Sequence, residues 1–135
     1  FQDIMEVIEW ITAQAIQRAV DVSLAAATPQ EAVKAVILTL GKNRKLIQHL
    51  MASQRRAEIE RLLVESMRTY LAKVLRAKAM RLTIKPSDLE AAIHFYSYGL
   101  VGMLMEALDH EIDVNTAADQ FCRLLTGDIW NLPEN

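Results

Sequence analysis

The chain has 135 residues, enough for one domain whose folding buries roughly two-thirds of the unfolded surface. Its 52% hydrophobic and 24% charged residues exclude a disordered segment, and a net charge of −2 counts against a nucleic-acid-binding face, which needs clustered Lys and Arg. One cysteine, Cys122, excludes an intrachain disulfide framework and fits a reducing, cytoplasmic setting.

Glycine and proline are scarce, and Ala, Leu, Met, Glu and Arg recur, so an all-α fold of about six helices is expected, with residues 1–135 forming one helical unit. The first pattern runs from Phe1 to Ala27, with Phe1, Ile4, Ile8, Ile11, Ala15 and Val22 at helical spacing. It opens with Asp3 and Glu6 and not with the basic stub of a signal peptide, and its start at Phe1 reads as a fragment of a longer protein. Thr28-Pro29-Gln30-Glu31 predicts a helix start, with Thr28 capping, Pro29 at the first helical position and Glu31 reaching back. That helix is expected to run through Leu40, with Gly41 as its left-handed terminator. Asn43 is read as the cap of a short helix over Arg44–Ala52. A long helix follows over Arg55–Met80, with Ile59, Leu62, Leu63, Met67, Tyr70, Leu71, Val74 and Leu75 on one face; Arg61 and Glu65, four apart, can pair across its outer face. Arg81–Lys85 is a short joint. Pro86-Ser87-Asp88 starts the next helix, which runs to about Asp109, and after an acidic turn Asn115 or Thr116 caps a last helix that Gly127 ends. In the tail, Trp130 and Leu132 are the residues able to dock.

The helix from Leu89 to Leu108 stands apart. Glu90, His94 and Ser97 share a stripe, but the stripe continues as Val101, Met105 and Leu108, so the second half is apolar almost all round. Such a helix must be covered on every side. Gly99 and Gly102, three apart, each cost about 1 kcal/mol relative to Ala inside a helix and would let another helix approach closely. A membrane span is disfavoured, because His94 and Glu106 interrupt it and both flanks are acidic. Two readings stay open: a central helix of a monomeric bundle, and the preferred one, a helix facing its own core on one side and a second copy on the other. Ala117, Ala118, Phe121, Cys122, Leu124 and Leu125 give the last helix similar excess apolar width.

No constellation for chemistry is present. GxxxxGK[ST], GxGxxG, HExxH and paired CxxC are all missing, and His49, His94 and His110 lack metal-ligand spacing. Cys122 has no activating neighbour in sequence and reads as a small buried hydrophobe. No enzyme activity and no cofactor is expected. Met5, Trp10, Met51, Met67, Tyr70, Met80, Met103 and Met105 supply adaptable side chains for a pocket, with Gln14, His49 and Tyr70 as polar contacts; ordinary core packing would use the same residues.

The stretch Phe95-Tyr96-Ser97-Tyr98-Gly99-Leu100-Val101-Gly102-Met103-Leu104-Met105-Glu106-Ala107-Leu108 resembles the penultimate helix of TetR/AcrR-family transcriptional regulators. Gly41–Met51, the long helix after it and the short last helix ending Leu124-Leu125-Thr126-Gly127 fall in the family's order. The pattern departs at the end of the penultimate helix, where the family often has Trp and this chain has Ala107 and Leu108. The resemblance implies a C-terminal regulatory domain of about six helices whose last two form a four-helix bundle with a second subunit. It implies an interface at Phe95, Tyr98, Gly99, Gly102, Met103, Phe121, Cys122 and Leu125. It also implies a small-molecule pocket, with Trp10, Gln14, His49, Met51, Met67, Tyr70 and Tyr96 as its candidate residues. DNA would be met only through an N-terminal helix-turn-helix domain missing from this chain, and no membrane is involved. A helical protein–protein interaction module without a ligand is the alternative.

Overall fold

The computed structural model describes residues 3–78, 84–110 and 113–131. Within them lie six helices: α1 (Ile4–Ala25), α2 (Pro29–Lys42), α3 (Arg44–Met51), α4 (Arg56–Lys78), α5 (Pro86–His110) and α6 (Val114–Thr126), followed by one turn of 3-10 helix at Asp128–Trp130. Phe1, Met80, most of the Arg81–Lys85 joint and Leu132 fall outside the described residues. Among the described residues there is no strand, and no helix is long and apolar enough to cross a membrane.

The helix ends follow local chemistry. Asp3 accepts from the Glu6 N–H at 3.0 Å and starts α1. Thr28 Oγ1 accepts from the Glu31 N–H at 3.2 Å and starts α2, while the Glu31 carboxylate reaches one residue further back than a capping box requires, to the Ala27 N–H at 3.1 Å. Gly127 takes φ +82° and closes α6 in the left-handed region that glycine enters without strain.

Two expected ends are corrected. Gly41 is not a terminator: α2 continues through it to Lys42, because the one-residue joint at Asn43 (φ −106°, ψ 19°) redirects the chain without a left-handed residue. Asn43 is the N-cap residue of α3, as expected, but its side chain makes no cap bond, and its amide donates back to the Thr39 carbonyl at 3.4 Å. The cap of α6 is Asp113, which accepts from the Thr116 N–H at 3.1 Å, so Asn115 and Thr116 already lie inside the helix. On α4 the ion pair four residues apart is Arg56–Glu60 at 3.1 Å and not Arg61–Glu65.

α1 packs along α4 and α2, α2 against α6, and α4 against α5; α3 bridges α4 and α5. The main core gathers Ile16 and Val20 of α1, Val36 and Ile37 of α2, Met67, Leu71 and Val74 of α4, Ile93, Leu100 and Leu104 of α5, and Phe121 of α6. A smaller cluster of Ile47, Met51 and Ile59 sits under α3. The buried stripe of α1 is Ile16, Ala19, Val20 and Ser23, turned away from Ile4, Ile11 and Val22, which are exposed. Small residues on that stripe bring α1 close enough to α4 for the Ser23 and Tyr70 hydroxyls to hydrogen-bond inside the core.

Burial pushes the Tyr70 hydroxyl above the ordinary tyrosine value of 10.0; the Ser23 bond opposes this and Cys122 adds to it. Below pH 10 both the folded and the unfolded chain hold this proton, so the contribution to stability is complete there. As pH rises from 10 through the folded value, the unfolded chain loses the proton first and stability falls. Tyr70→Phe should therefore flatten this alkaline loss in urea midpoints measured between pH 7 and 11, while costing about 1 kcal/mol at pH 7 through the lost hydrogen bond. An alkaline slope identical in both proteins would refute the assignment.

Candidate functional site: an apolar cavity between α2 and α5

Between the C-terminal end of α2, the start of α3, the middle of α4 and the second half of α5 lies a cavity of about 340 Å³. Its wall is Ile37, Leu40, Ile47, Leu63, Met67, Val101, Leu104, Met105 and Leu108, with Leu38, Lys42, Arg44 and Ala107 around it. A second cavity of about 100 Å³ reaches toward α1 past Ile8, Ile11, Thr12 and Ala15. Leu40, Ile47, Leu63 and Met67 line both. The larger volume falls at the lower end of the range for small-molecule sites, which are concave and mostly apolar.

The apolar all-round half of α5 is thus explained from inside the chain. Leu100 enters the core, Val101 and Leu104 belong both to the core and to the cavity wall, and Met105 and Leu108 face the cavity. The stripe of Glu90, His94 and Ser97 is also spoken for: Arg76 of α4 pairs with Glu90, Arg68 donates to His94 Nδ1 at 2.6 Å, and the buried Ser97 hydroxyl donates to the Ile93 carbonyl at 2.6 Å.

Arg44 organises the cavity's rim. Its Nη2 donates to the Ala107 carbonyl at 3.3 Å and the Leu108 carbonyl at 2.9 Å, and Gln48 Nε2 donates to the Leu108 carbonyl at 2.8 Å. Carbonyls near the C-terminal end of a helix lack intrahelical partners and carry the negative end of the helix dipole, so a cation is the fitting partner. No local pattern signals this bond, because its partners are 63 and 64 residues apart.

Of the pocket residues expected from sequence, Met67 lines both cavities and is 1% exposed. Met51 borders a smaller neighbouring hollow beside Gln48 and Leu108. Trp10 is 54% exposed, and Gln14 and His49 are also exposed, each on the outer side of a helix whose inner side carries Ile8, Thr12, Ala15 and Ile16 or Ile47 and Met51. Tyr70 lies in the main core, and Tyr96 packs edge-on against Phe121 with ring centroids 6.3 Å apart; neither lines the cavity.

Of the expected interface residues, Phe95 is 72% and Tyr98 57% exposed, and Gly99 and Gly102 are exposed beside them. A methyl group added at either glycine would meet nothing within 4 Å. Met103 and Leu125 are half-buried, whereas Phe121 and Cys122 are fully buried in the chain's own core.

The model of a TetR-type family described as "Transcriptional regulator C-terminal region" matches residues 27–127, about three quarters of the chain. The chain belongs to this family. No curated protein and no solved structure matches it significantly. The match runs from the residue before the α2 cap to the glycine that closes α6, so it spans the cavity and the exposed α5 stripe of this TetR-type domain. It makes the chain a regulatory domain in general terms and identifies no ligand.

Burial, and secondarily Asp119, pushes the Cys122 thiol above its ordinary range, so at neutral pH it is protonated and a poor nucleophile. Iodoacetamide should label the folded TetR-type domain at least about tenfold more slowly than the urea-unfolded chain at pH 7.5. Equal rates by mass spectrometry would contradict the buried placement.

Proposed function

We propose that this TetR-type domain, as one unit over residues 1–135, senses a small apolar or amphipathic molecule and pairs with a second copy of itself. The observation that carries the proposal is the cavity of about 340 Å³ walled by Met67, Leu104 and Met105 inside a family of transcriptional regulators. In this reading DNA is contacted by a helix-turn-helix domain elsewhere in the protein, in the cytoplasm, and no cofactor takes part. The ligand acts by binding one spacing of two DNA-binding heads better than another, which is the only way a ligand shifts a conformational equilibrium.

Pairing is supported by the stripe of Phe95, Tyr98, Gly99 and Gly102. Two large aromatic side chains stand exposed, and among the described residues no group requires a missing side chain at either glycine. Glycines that weaken a helix without easing any contact inside the chain are accounted for by a helix approaching from outside. Met103 and Leu125 flank this surface in the proposed interface, with Phe121 and Cys122 supporting it from beneath.

Light scattering at micromolar concentration should give the mass of a dimer, and Gly102→Glu should give monomer or misfolded protein. An unchanged dimer in the variant would move the partner surface elsewhere. Among straight-chain alcohols and small aromatics, at least one should raise the melting temperature, since mass action stabilises the folded state by about 2.7 kcal/mol when a ligand is present at a hundred times its Kd. Ala107→Phe, which projects a ring toward the cavity, should abolish that stabilisation; a shift that persists would separate binding from this cavity.

A further inference from the structure

The charged groups at the rim of the cavity are all of one sign. Among the described residues Lys42 and Arg44 line it, and no acidic residue does. The negative features near it are the end of α5, whose carbonyls amount to about half an elementary charge, and Asp109, which borders the adjoining hollow beside Gln48 and Leu108. Arg44 is held in place through Nη2 alone, by two backbone carbonyls of another helix. A guanidinium has five N–H donors in a fixed planar fork, so Nε and Nη1 keep three of them, and these have no acceptor among the described residues. Much of the freedom an arginine must give up to grip a carboxylate is therefore already given up in the ligand-free chain.

The depth of the cavity sets the other half of the ligand. Beyond the rim the wall is aliphatic and thioether: Ile37, Leu63, Met67, Val101, Leu104 and Met105. A volume of about 340 Å³ lies at the lower end of the range for small-molecule sites and suits a short tail. An unbranched chain fits such a wall because it offers nothing to hydrogen-bond.

We infer that the effector of this domain is a medium-chain anionic amphiphile, its alkyl chain laid between α2, α4 and α5 and its carboxylate-like head received by Arg44 with Lys42 beside it. This rests on the reading of the cavity as the effector site. It adds the sign of the head group, the length of the tail and the residue that reads the head. Charge-assisted hydrogen bonds are the stronger kind, and one planar fork can meet both oxygens of a carboxylate. A neutral alcohol of the same length keeps the tail contacts and loses the pairing; an ammonium of the same length meets two like charges.

The test compares octanoate, 1-octanol and octylammonium, which share one tail, by isothermal titration of the chain at low ionic strength. Octanoate should bind about tenfold more tightly than 1-octanol, and octylammonium more weakly than either. Arg44→Gln should remove the preference for octanoate while leaving 1-octanol within about twofold of its original affinity. Arg44→Lys, which keeps the positive charge, should restore part of the preference for octanoate over 1-octanol that Arg44→Gln removes. Equal binding of octanoate and 1-octanol to the unaltered chain would overturn the anion assignment and leave the cavity reading intact; this comparison needs no variant to fold. Failure of all three probes, while another molecule stabilises the chain through the cavity, would likewise overturn this inference alone. If no probe of any kind binds, the cavity reading falls with it.

Discussion

The constraint on which the rest depends is that α5 carries apolar side chains around most of its circumference and must find cover for them. A helix with one apolar stripe is satisfied by one neighbour. α5 needs α4 on one side, α6 on another and the cavity wall on a third, and it leaves Phe95 and Tyr98 largely exposed on an outer face, with ring contacts to Tyr96 and His94 of the same helix. The placement of α3 follows from the same demand. It is short, buries only Ile47 and Met51, and is fastened over the end of α5 by hydrogen bonds from Arg44 and Gln48. The cavity is the space left where α2, α3, α4 and α5 converge without filling it.

Polar groups in this arrangement serve as fasteners between helices. Ser23 and Tyr70 join α1 to α4, and Arg68–His94 and Arg76–Glu90 join α4 to α5. Among the described residues no buried side-chain polar atom is left without a partner. The two surface fasteners are exposed and add little to stability, but they fix which face of α5 turns to α4 and hence which face turns to the cavity.

Much of the fold was legible in the sequence, because it rests on local rules. Helical spacing predicted the long helices, Pro29 and Pro86 marked two starts, and Gly127 marked an end. The resemblance carried by Phe95–Leu108 agrees with the family match over residues 27–127. The misjudged ends are Gly41, where α2 runs on for one more residue, and Asn115 or Thr116, where the side chain of Asp113 takes the cap. The cavity was legible only in part. Met67 stands on an inner face that periodicity reveals, but Trp10, Gln14 and His49 were singled out by residue type, and residue type does not say which way a helix is turned. Arg44 was invisible, since nothing near it in sequence names a partner on the far side of the fold.

The partition between the two cavities has a consequence for how they would respond to occupants. Leu40, Ile47, Leu63 and Met67 belong to both walls, and Met67 is an unbranched thioether with freely turning bonds. Any displacement of these side chains that enlarges one chamber takes volume from the other. Two molecules seated in separate chambers would therefore oppose each other without ever touching, so that antagonism at this domain needs no shared binding site.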